Sequence, residues 1–194
     1  MFRVYLDTLA NEKTYNYYFS PYNEFNPYYP YNAYNYGYRE QEGFSITSLL
    51  EDIKSMLIST NKFIVFNGKE TISEEQKIKD INMFRPDIYV LICTNIKDEK
   101  GPSVITKANS EMSNGFAKSI YNKLHEIYYD KNVDLGVVYD ENAPVINKIN
   151  SNGVIVQIGN IKDIGDKKWI EERKINIAGK IVEGIIKGCS LKPC

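Results

Sequence analysis

Two short, unbroken apolar runs restrict the folds open to this chain more than any other feature. One lies within residues 87–95 and the other covers residues 153–159, and both end abruptly in polar residues. Such runs are typical of strands that are buried on both faces of a parallel sheet. In α/β sheets, ligands bind in the crevice at the carboxyl ends of the strands. We therefore expect Cys93 and Gln157, which stand at these two ends, to lie at the candidate site.

The rest of the chain alternates between strand and helix patterns. Apolar residues at three- and four-residue spacing predict helices over about 45–57, 73–84, 110–127 and 167–188. Short β-branched and aromatic runs predict strands or sheet edges over 2–7, 63–66, 87–93, 135–139, 144–147 and 153–159. The last helix carries the apolar residues Trp169, Ile170, Ile175, Ile177, Ala178, Ile181, Ile185 and Ile186. This order predicts one α/β domain over residues 1–194, with a mostly parallel sheet between two helical layers.

A tyrosine- and asparagine-rich stretch at about 13–40 differs from the rest of the chain. Its tyrosines are Tyr15, Tyr17, Tyr18, Tyr22, Tyr28, Tyr29, Tyr31, Tyr34, Tyr36 and Tyr38. Pro21, Pro27 and Pro30 exclude a helix or an interior strand, so we expect a long insertion loop. Loops of this length are usually functional or disordered, and so many rings are too apolar for a solvated linker. The loop either packs on the body of the domain or binds a partner, and we favour the second interpretation.

Composition and charge exclude several classes of function. The formal net charge is −1 and no long basic run occurs, so nucleic acid is not expected as a partner. No run of apolar residues is long enough for membrane insertion. Residues 1–7 lack the pattern of an export signal, so we expect the cytoplasm or the mother-cell side of a developing spore. Cys93, Cys189 and Cys194 are too few for a disulfide framework, although the last two could close a small terminal loop.

Several local patterns resemble the zinc-dependent N-acetylmuramoyl-L-alanine amidases, which cut bacterial peptidoglycan between the sugar and the stem peptide. Residues 81–95 carry Ile-Asn, Pro-Asp and Leu-Ile-Cys-Thr-Asn at the spacing of the family's Ala-Asn, Ala-Asp and Ser-Ile-His-x-Asn. Residues 152–160 are similar to the family's Pro-Ala-Val-Leu-Val-Glu-x-Gly-Phe, and residues 177–185 match its closing helix. The resemblance covers nearly the whole chain outside the tyrosine-rich loop and implies the amidase-type fold, which is phosphorylase/hydrolase-like.

The same resemblance implies a zinc site from which this chain departs. The family holds zinc with two histidines and a glutamate, and a second glutamate is the general base. The matching positions are Ala10, Glu42 and Cys93 for the metal and Gln157 for the base. The chain contains a single histidine, His125, so a site with two histidines is impossible. Catalytic zinc takes three protein ligands, and an amide does not accept a proton near neutral pH. We therefore expect no zinc, no other cofactor and no catalytic residue.

Two hypotheses of function follow. The preferred one is a catalytically inactive amidase-fold protein that binds a peptidoglycan fragment or an envelope protein through the tyrosine-rich loop, in cell-wall or spore-envelope biology. The alternative is an active amidase with an atypical metal site, for example Cys93, Glu42 and another acidic residue. A third hypothesis is oxidative cross-linking of the tyrosines. The candidate residues of the binding groove are Asp7, Glu42, Cys93, Asn95, Gln157 and Asn160.

Some of these candidate residues can also be explained by purely structural roles. Cys93 is also explained as a small buried side chain that fills the space of a histidine. Gln157 is also explained as a buried amide that ties the strand ends together. Asp7 and Asn95 are more simply explained as residues that brace the strand ends than as residues that act in chemistry.

Overall fold

A computed structural model of the chain describes residues 1–8, 45–68, 73–95, 99–140 and 144–190. The predicted insertion loop at 13–40 lies outside these residues, and so do Ala10, Glu42 and Cys194. The strands of the described part are β1 Phe2–Thr8, β2 Phe63–Asn67, β3 Ile88–Cys93, β4 Ser103–Thr106, β5 Val137–Tyr139 and β6 Asn152–Gln157. Its helices are α1 Ile46–Ser59, α2 Glu74–Phe84, α3 Glu111–Ile127, α4 Pro144–Lys148 and α5 Ile164–Cys189.

The strands form one mixed sheet in the order β2-β1-β3-β6-β4-β5. Strands β2, β1, β3 and β6 are parallel to one another, whereas β4 pairs antiparallel with β6 and parallel with β5. The two apolar runs that dominate the sequence are the central strands β3 and β6. All six residues of β3 are buried because helices cover both faces of the sheet there. The predicted mostly parallel sheet between helical layers is confirmed.

Each face of the sheet has its own apolar core. Alternate strand residues such as Val90 and Val154 pack with α1, α3 and α5 on one face. The other alternate residues, including Leu91 and Ile155, pack with α2 and α4 on the opposite face. On the first face α3 and α5 are in backbone contact, since a Cβ atom at Gly184 would lie 2.5 Å from the Cα atom of Ile120. The candidate site lies on the second face, beside α2 and α4.

The longer helices begin at side chains that cap their first free amide groups. Ser45, Ser73 and Ser110 each accept a hydrogen bond from the backbone N–H three residues later, at 3.2–3.3 Å. These starts agree with the predicted ones because serine is a favoured N-cap residue. The last helix begins one turn earlier than predicted, since Asp163 accepts from the backbone N–H of Asp166 at 3.0 Å. None of the described helices combines the length and the apolar character that a bilayer crossing requires.

Two local predictions were wrong. Residues 144–147, predicted as a strand or edge, belong to helix α4, where a proline suits the first turn and Val145 and Ile146 are buried. Strand β4 was missed because its four residues include Ser103 and Thr106 and are stabilised by distant pairing with β6. The side chain of Ile175 is 53% exposed, outside the buried stripe of α5.

Candidate functional site

The carboxyl edge of the sheet brings together residues from four strands on the face that α2 and α4 cover. Cys93 is directly opposite Gln157 in the β3–β6 register, and Gln157 is directly opposite Ser103 in the β6–β4 register. Asp7 of β1 pairs with Leu91, two residues before Cys93, so it lies on the same face. The parallel register therefore confirms the geometric expectation that Cys93 and Gln157 are neighbours. Ser103 was not predicted, because the sequence pattern did not reveal β4.

The Asp7 carboxylate is buried and held by groups of the protein itself. Lys77 of α2 places its Nζ atom 2.8 Å from Asp7 Oδ2, and the side chains of Lys77 and Asp7 are 9% and 2% exposed. The same ammonium group donates a hydrogen bond to the carbonyl oxygen of Thr8 at 2.9 Å. Gly68 packs on the carboxylate so closely that a Cβ atom there would lie 2.0 Å from Asp7 Oδ2. This carboxylate therefore links the end of β1 to α2. Gly68, the residue after β2, covers the carboxylate on one side.

Cys93 has the environment of a core residue. Its side chain is 5% exposed, and burial raises the pKa of its thiol to about 12. At neutral pH the thiol is therefore protonated, whereas zinc is bound by a thiolate. His125 is located on α3, where its Nε2 atom lies 3.2 Å from the carbonyl oxygen of Val133 and its ring stacks on Tyr121. In the described ranges, no three His, Cys, Asp or Glu side chains come together. The donor set that these residues offer does not fit zinc.

Gln157 presents an oriented amide at the edge of the sheet. Its side chain is half-buried, and its Oε1 atom accepts a hydrogen bond from Ser103 Oγ at 2.7 Å. Ser103 itself is 2% exposed, so this contact is shielded from water. The position that the resemblance assigns to the general base is thus occupied by a neutral group whose oxygen already has a partner.

The two asparagines among the predicted groove residues hold loops. The Asn95 Nδ2 atom donates to the carbonyl oxygens of Glu99 and Gly101, at 2.9 and 2.7 Å. Asn160 is buried, and its Oδ1 atom accepts from the backbone N–H of Lys162 at 2.9 Å. Both side chains are engaged with neighbouring backbone. The structure therefore places Asn95 and Asn160 at the same edge as Gln157, where they form hydrogen bonds with the loops that follow β3 and β6.

Asp166, which was not predicted from the sequence, holds the loops at this edge of the sheet. Its carboxylate is fully buried, and its Oδ2 atom accepts from the backbone N–H groups of Gly101 and Asn160, both at 2.8 Å. Its Oδ1 atom accepts from the Tyr128 hydroxyl at 2.5 Å. Burial, together with this hydrogen bond, raises the pKa of Tyr128. One carboxylate thus ties the loops after β3 and β6 to the end of α3. The only sequence signal was the acidic pair Asp163 and Asp166 at the start of the last helix.

Comparison with known proteins assigns the family. A sequence model described as N-acetylmuramoyl-L-alanine amidase matches residues 33–187. The chain belongs to the N-acetylmuramoyl-L-alanine amidase family. The resemblance that the sequence motifs indicated is therefore confirmed for this amidase-family chain. A comparison with curated protein sequences gives no match.

Solved structures of amidases share the fold over the full length of the chain. The N-acetylmuramoyl-L-alanine amidase from Clostridium difficile 630 is 16% identical with a TM-score of 0.67, covering 99% of this chain and 98% of that one. The CwlD amidase from Clostridioides difficile, solved in complex with the GerS lipoprotein, is 15% identical with a TM-score of 0.71, covering 99% and 100%. The amidase Ami1 from Mycobacterium smegmatis is 17% identical with a TM-score of 0.66, covering 98% of each chain. At these identities the similarity establishes the amidase fold.

The buried thiol of this amidase-family chain predicts a loss of stability in alkali. The pKa of Cys93 in the folded protein, about 12, is above the value of about 8.5 of an unfolded chain. The folded state therefore holds this proton more tightly, and the stabilisation is complete below about pH 8.5 and lost as the pH rises towards the folded value. We expect the free energy of unfolding of the native protein to fall more steeply above about pH 8.5 than that of a Cys93→Ser variant, by up to about 1.4 kcal/mol per pH unit. Urea unfolding at a series of pH values measures both slopes, and equal slopes would contradict the prediction.

Proposed function

We propose that this chain is a catalytically inactive amidase-fold protein that binds a peptidoglycan fragment or an envelope protein. The observation that carries the proposal is the amide of Gln157, which stands at the base position of the family and accepts a hydrogen bond from Ser103 at 2.7 Å. A general base must accept a proton from the attacking water. An amide has almost no basicity near neutral pH, so water is not activated at this position.

The absence of the family's zinc is the second part of the proposal. The single histidine of the chain cannot supply the two histidines of the family site. The Cys93 thiol would have to lose a proton in a buried environment that raises its pKa to about 12. A thiolate forced into apolar surroundings without further ligands is costly, and catalytic zinc takes three protein ligands. We therefore propose that the protein works without a metal cofactor.

The proposed binding role uses the tyrosine-rich residues 13–40. In the chain these residues follow β1, whose last residue, Thr8, lies at the same edge of the sheet as Cys93 and Gln157. Tyrosine offers an apolar ring together with a hydroxyl group, a combination that suits sugar faces and protein surfaces. We propose that these tyrosines contact the bound fragment or partner.

Two observations support the proposed class of partner: the peptidoglycan chemistry of the family and the protein partner of one relative. The CwlD amidase was solved in complex with the GerS lipoprotein, which is a property of that protein. It supports testing envelope proteins of the cell wall or the spore as partners of this chain. Peptidoglycan fragments are the other class of partner, because the family is described as N-acetylmuramoyl-L-alanine amidase, after a bond found in peptidoglycan.

The decisive experiment combines metal analysis, a hydrolysis assay and a binding assay on one protein preparation. The protein is exposed to excess zinc, dialysed and analysed for metal, then incubated with muropeptides while release of the stem peptide is followed by mass spectrometry. An active amidase of the family is the positive control. We expect zinc well below one equivalent, no peptide release, and retention of the protein on peptidoglycan fragments or on an envelope protein.

Two other results would overturn different parts of the proposal. Stoichiometric zinc together with peptide release would establish the alternative, an active amidase with an atypical metal site. Failure to bind every fragment and every envelope protein would remove the binding role. A variant with all tyrosines of residues 13–40 replaced by serine tests the route of binding, and Tyr139→Ser, on the exposed edge strand β5, is its matched control. Only the first variant should lose binding.

A further inference from the structure

Strand β2 is one edge of the sheet, and its outer backbone groups have no hydrogen-bond partner among the described residues. The bonds between β1 and β2 run from the Phe2 N–H, which donates to the carbonyl oxygen of Lys62 at 3.0 Å, to the Gly68 N–H, which donates to that of Leu6 at 2.8 Å. In a parallel ladder every second residue of a strand bonds to a given neighbour, so the even-numbered residues of β2 bond to β1. The odd-numbered residues direct their N–H and C=O groups away from the sheet; they are Phe63, Val65 and Asn67.

Strand β2 also lacks the features that protect an exposed edge. Edge strands are usually short, or they carry charges, prolines or bulges. The other edge strand, β5, has three residues and is followed by Asp140. Strand β2 has five residues, Phe-Ile-Val-Phe-Asn, with no charge and no proline. On the face that α2 covers, Ile64 is exposed and Phe66 is only half-buried. The strand thus has the composition of a paired strand and the exposure of an unpaired one.

Helix α1 continues this edge on the other face of the sheet. It packs on β1 and β2, and Glu51 Oε1 accepts a hydrogen bond from Asn67 Nδ2 at 3.0 Å. Residues three and seven positions after Glu51 lie on the same side of the helix. They are Lys54, which pairs with Glu51 at 3.3 Å, and Ile58, which is exposed. This side of α1 therefore has compensated charges and an exposed apolar residue beside β2.

We propose that β2 pairs antiparallel with β2 of a second copy of this chain, around a twofold axis at Val65. In this register Phe63 is opposite Asn67 of the second copy, and Val65 is opposite itself, so all three outward residues exchange backbone hydrogen bonds. Any other register that pairs outward residues leaves at least one of them without a partner in the strand. A twofold axis makes the surface complementary to itself, as in most dimers of identical chains.

Side chains and charge favour a second copy as the occupant. Ile64 is directly opposite Phe66 of the second copy, and β-branched residues and aromatic rings form stabilising cross-strand pairs. Lys62 is opposite Gly68, so no like charges meet across the strands. Because α1 lies over β1 and β2 and strands are about 4.8 Å apart, the two α1 helices lie about 10 Å apart, close to the usual packing distance of helices.

The size of this edge predicts a weak, reversible dimer. It extends about 20 Å along β2 and α1 and about 20 Å across the layers of helix and sheet, on the order of 400 Å² for each copy. Stable specific interfaces bury about 800 Å² on each partner, so we expect a dissociation constant in the micromolar range. The twofold axis directs the carboxyl edges of the two sheets to opposite ends, so the dimer carries two separate candidate sites.

The first test measures dimer formation by sedimentation over a range of protein concentrations. Ile64→Lys should raise the dissociation constant at least roughly tenfold, because it places two ammonium groups near each other across the strands. The matched control is Val138→Lys on β5, since Val138 and Ile64 are 40% and 41% exposed. The control should dimerise like the native protein. Thermal unfolding confirms that each variant is folded.

A charge exchange tests the register directly. The residues at position 64 of the two copies are diagonal neighbours on one face of the joined sheet, within reach of long side chains. Ile64→Glu alone should therefore be as monomeric as Ile64→Lys. An equimolar mixture of the two variants should form a heterodimer, because a carboxylate and an ammonium group then meet. A mixture that stays monomeric would contradict the twofold axis at Val65.

Amide hydrogen exchange followed by NMR tests whether the contact is a pairing of strands. The amides of Phe63, Val65 and Asn67 should exchange rapidly in dilute protein and become protected as the dimer forms. The amides of Ile64 and Phe66 should be protected at every concentration, because they bond to β1. This alternation distinguishes strand pairing from a dimer that forms elsewhere.

Three results would overturn the dimer. One is a protein that stays monomeric up to millimolar concentration. Another is a dimer that Ile64→Lys leaves intact or in which Val65 is not protected. The third is protection of Val65 in the monomer, which would show that residues of the same chain pair with β2. None of these results affects the proposed function, because binding at the carboxyl edge does not require a second copy.

Discussion

Replacement of Lys77 by methionine is expected to lower the free energy of unfolding by about 3–5 kcal/mol, because it leaves the Asp7 carboxylate buried without its ammonium partner. The two side chains are 9% and 2% exposed and their charged atoms lie 2.8 Å apart. The variant also loses the hydrogen bond from Lys77 to the carbonyl oxygen of Thr8. Gly68 lies against the same carboxylate and limits its movement towards water. Urea unfolding followed by circular dichroism measures the change.

The control for this variant is an exposed lysine of the same helix. Lys79 of α2 is exposed, so Lys79→Met should change the stability by no more than about 0.5 kcal/mol. The double variant Lys77→Met with Asp7→Asn removes both charges and should recover part of the loss, because an unpaired buried charge is the main cost. If Lys77→Met were as stable as Lys79→Met, the ion pair would not be the element that fixes this end of α2.

The fold could be predicted from the sequence wherever local chemistry alone decides the structure. A strand covered on both faces must be apolar at every position, and for this reason β3 and β6 were recognisable as unbroken runs. The apolar spacing also predicted helix starts near residues 45, 73 and 110, where serine hydroxyl groups accept hydrogen bonds from free amides within one turn. Strand β4 could not be recognised in this way. Its residues 103–106 are half polar, and they form a strand because β6 offers them a partner.

The candidate site could be predicted from the sequence only in part, for a similar reason. The carboxyl ends of two parallel strands predicted that Cys93 and Gln157 lie together, since parallel strands in register end at the same edge. The partners that give these positions their chemistry are distant in the chain. Ser103 is 54 residues from Gln157, and the Lys77 ammonium reaches back to Thr8, 69 residues earlier. A lysine within an amphipathic helix is usually solvated, so the pattern gave no reason to bury Lys77.

Replacement of Asp166 by alanine is expected to cost about 4 kcal/mol, an effect similar to that of Lys77→Met. The carboxylate is fully buried and accepts from the backbone N–H groups of Gly101 and Asn160 and from the Tyr128 hydroxyl. Alanine leaves these three donors inside the protein without the acceptor that they share, and each orphaned group costs about 1–3 kcal/mol. Asp166→Asn keeps an oxygen for the two backbone donors, so it should cost clearly less than Asp166→Ala. Urea unfolding of the two variants gives both values.

Two further variants test whether the effect comes from the shared acceptor or from the helix start. Asp163→Ala removes the cap of α5, whose hydrogen bond to the Asp166 backbone is 3.0 Å long, and should cost only about 1 kcal/mol. Tyr128→Phe removes one donor, and in a double-mutant cycle with Asp166→Ala the two losses should be non-additive, because the variants share a hydrogen bond. Additive losses, or an Asp166→Ala variant no less stable than Asp163→Ala, would contradict the role of Asp166. If the network holds as described, the loops after β3 and β6 keep their position through this carboxylate.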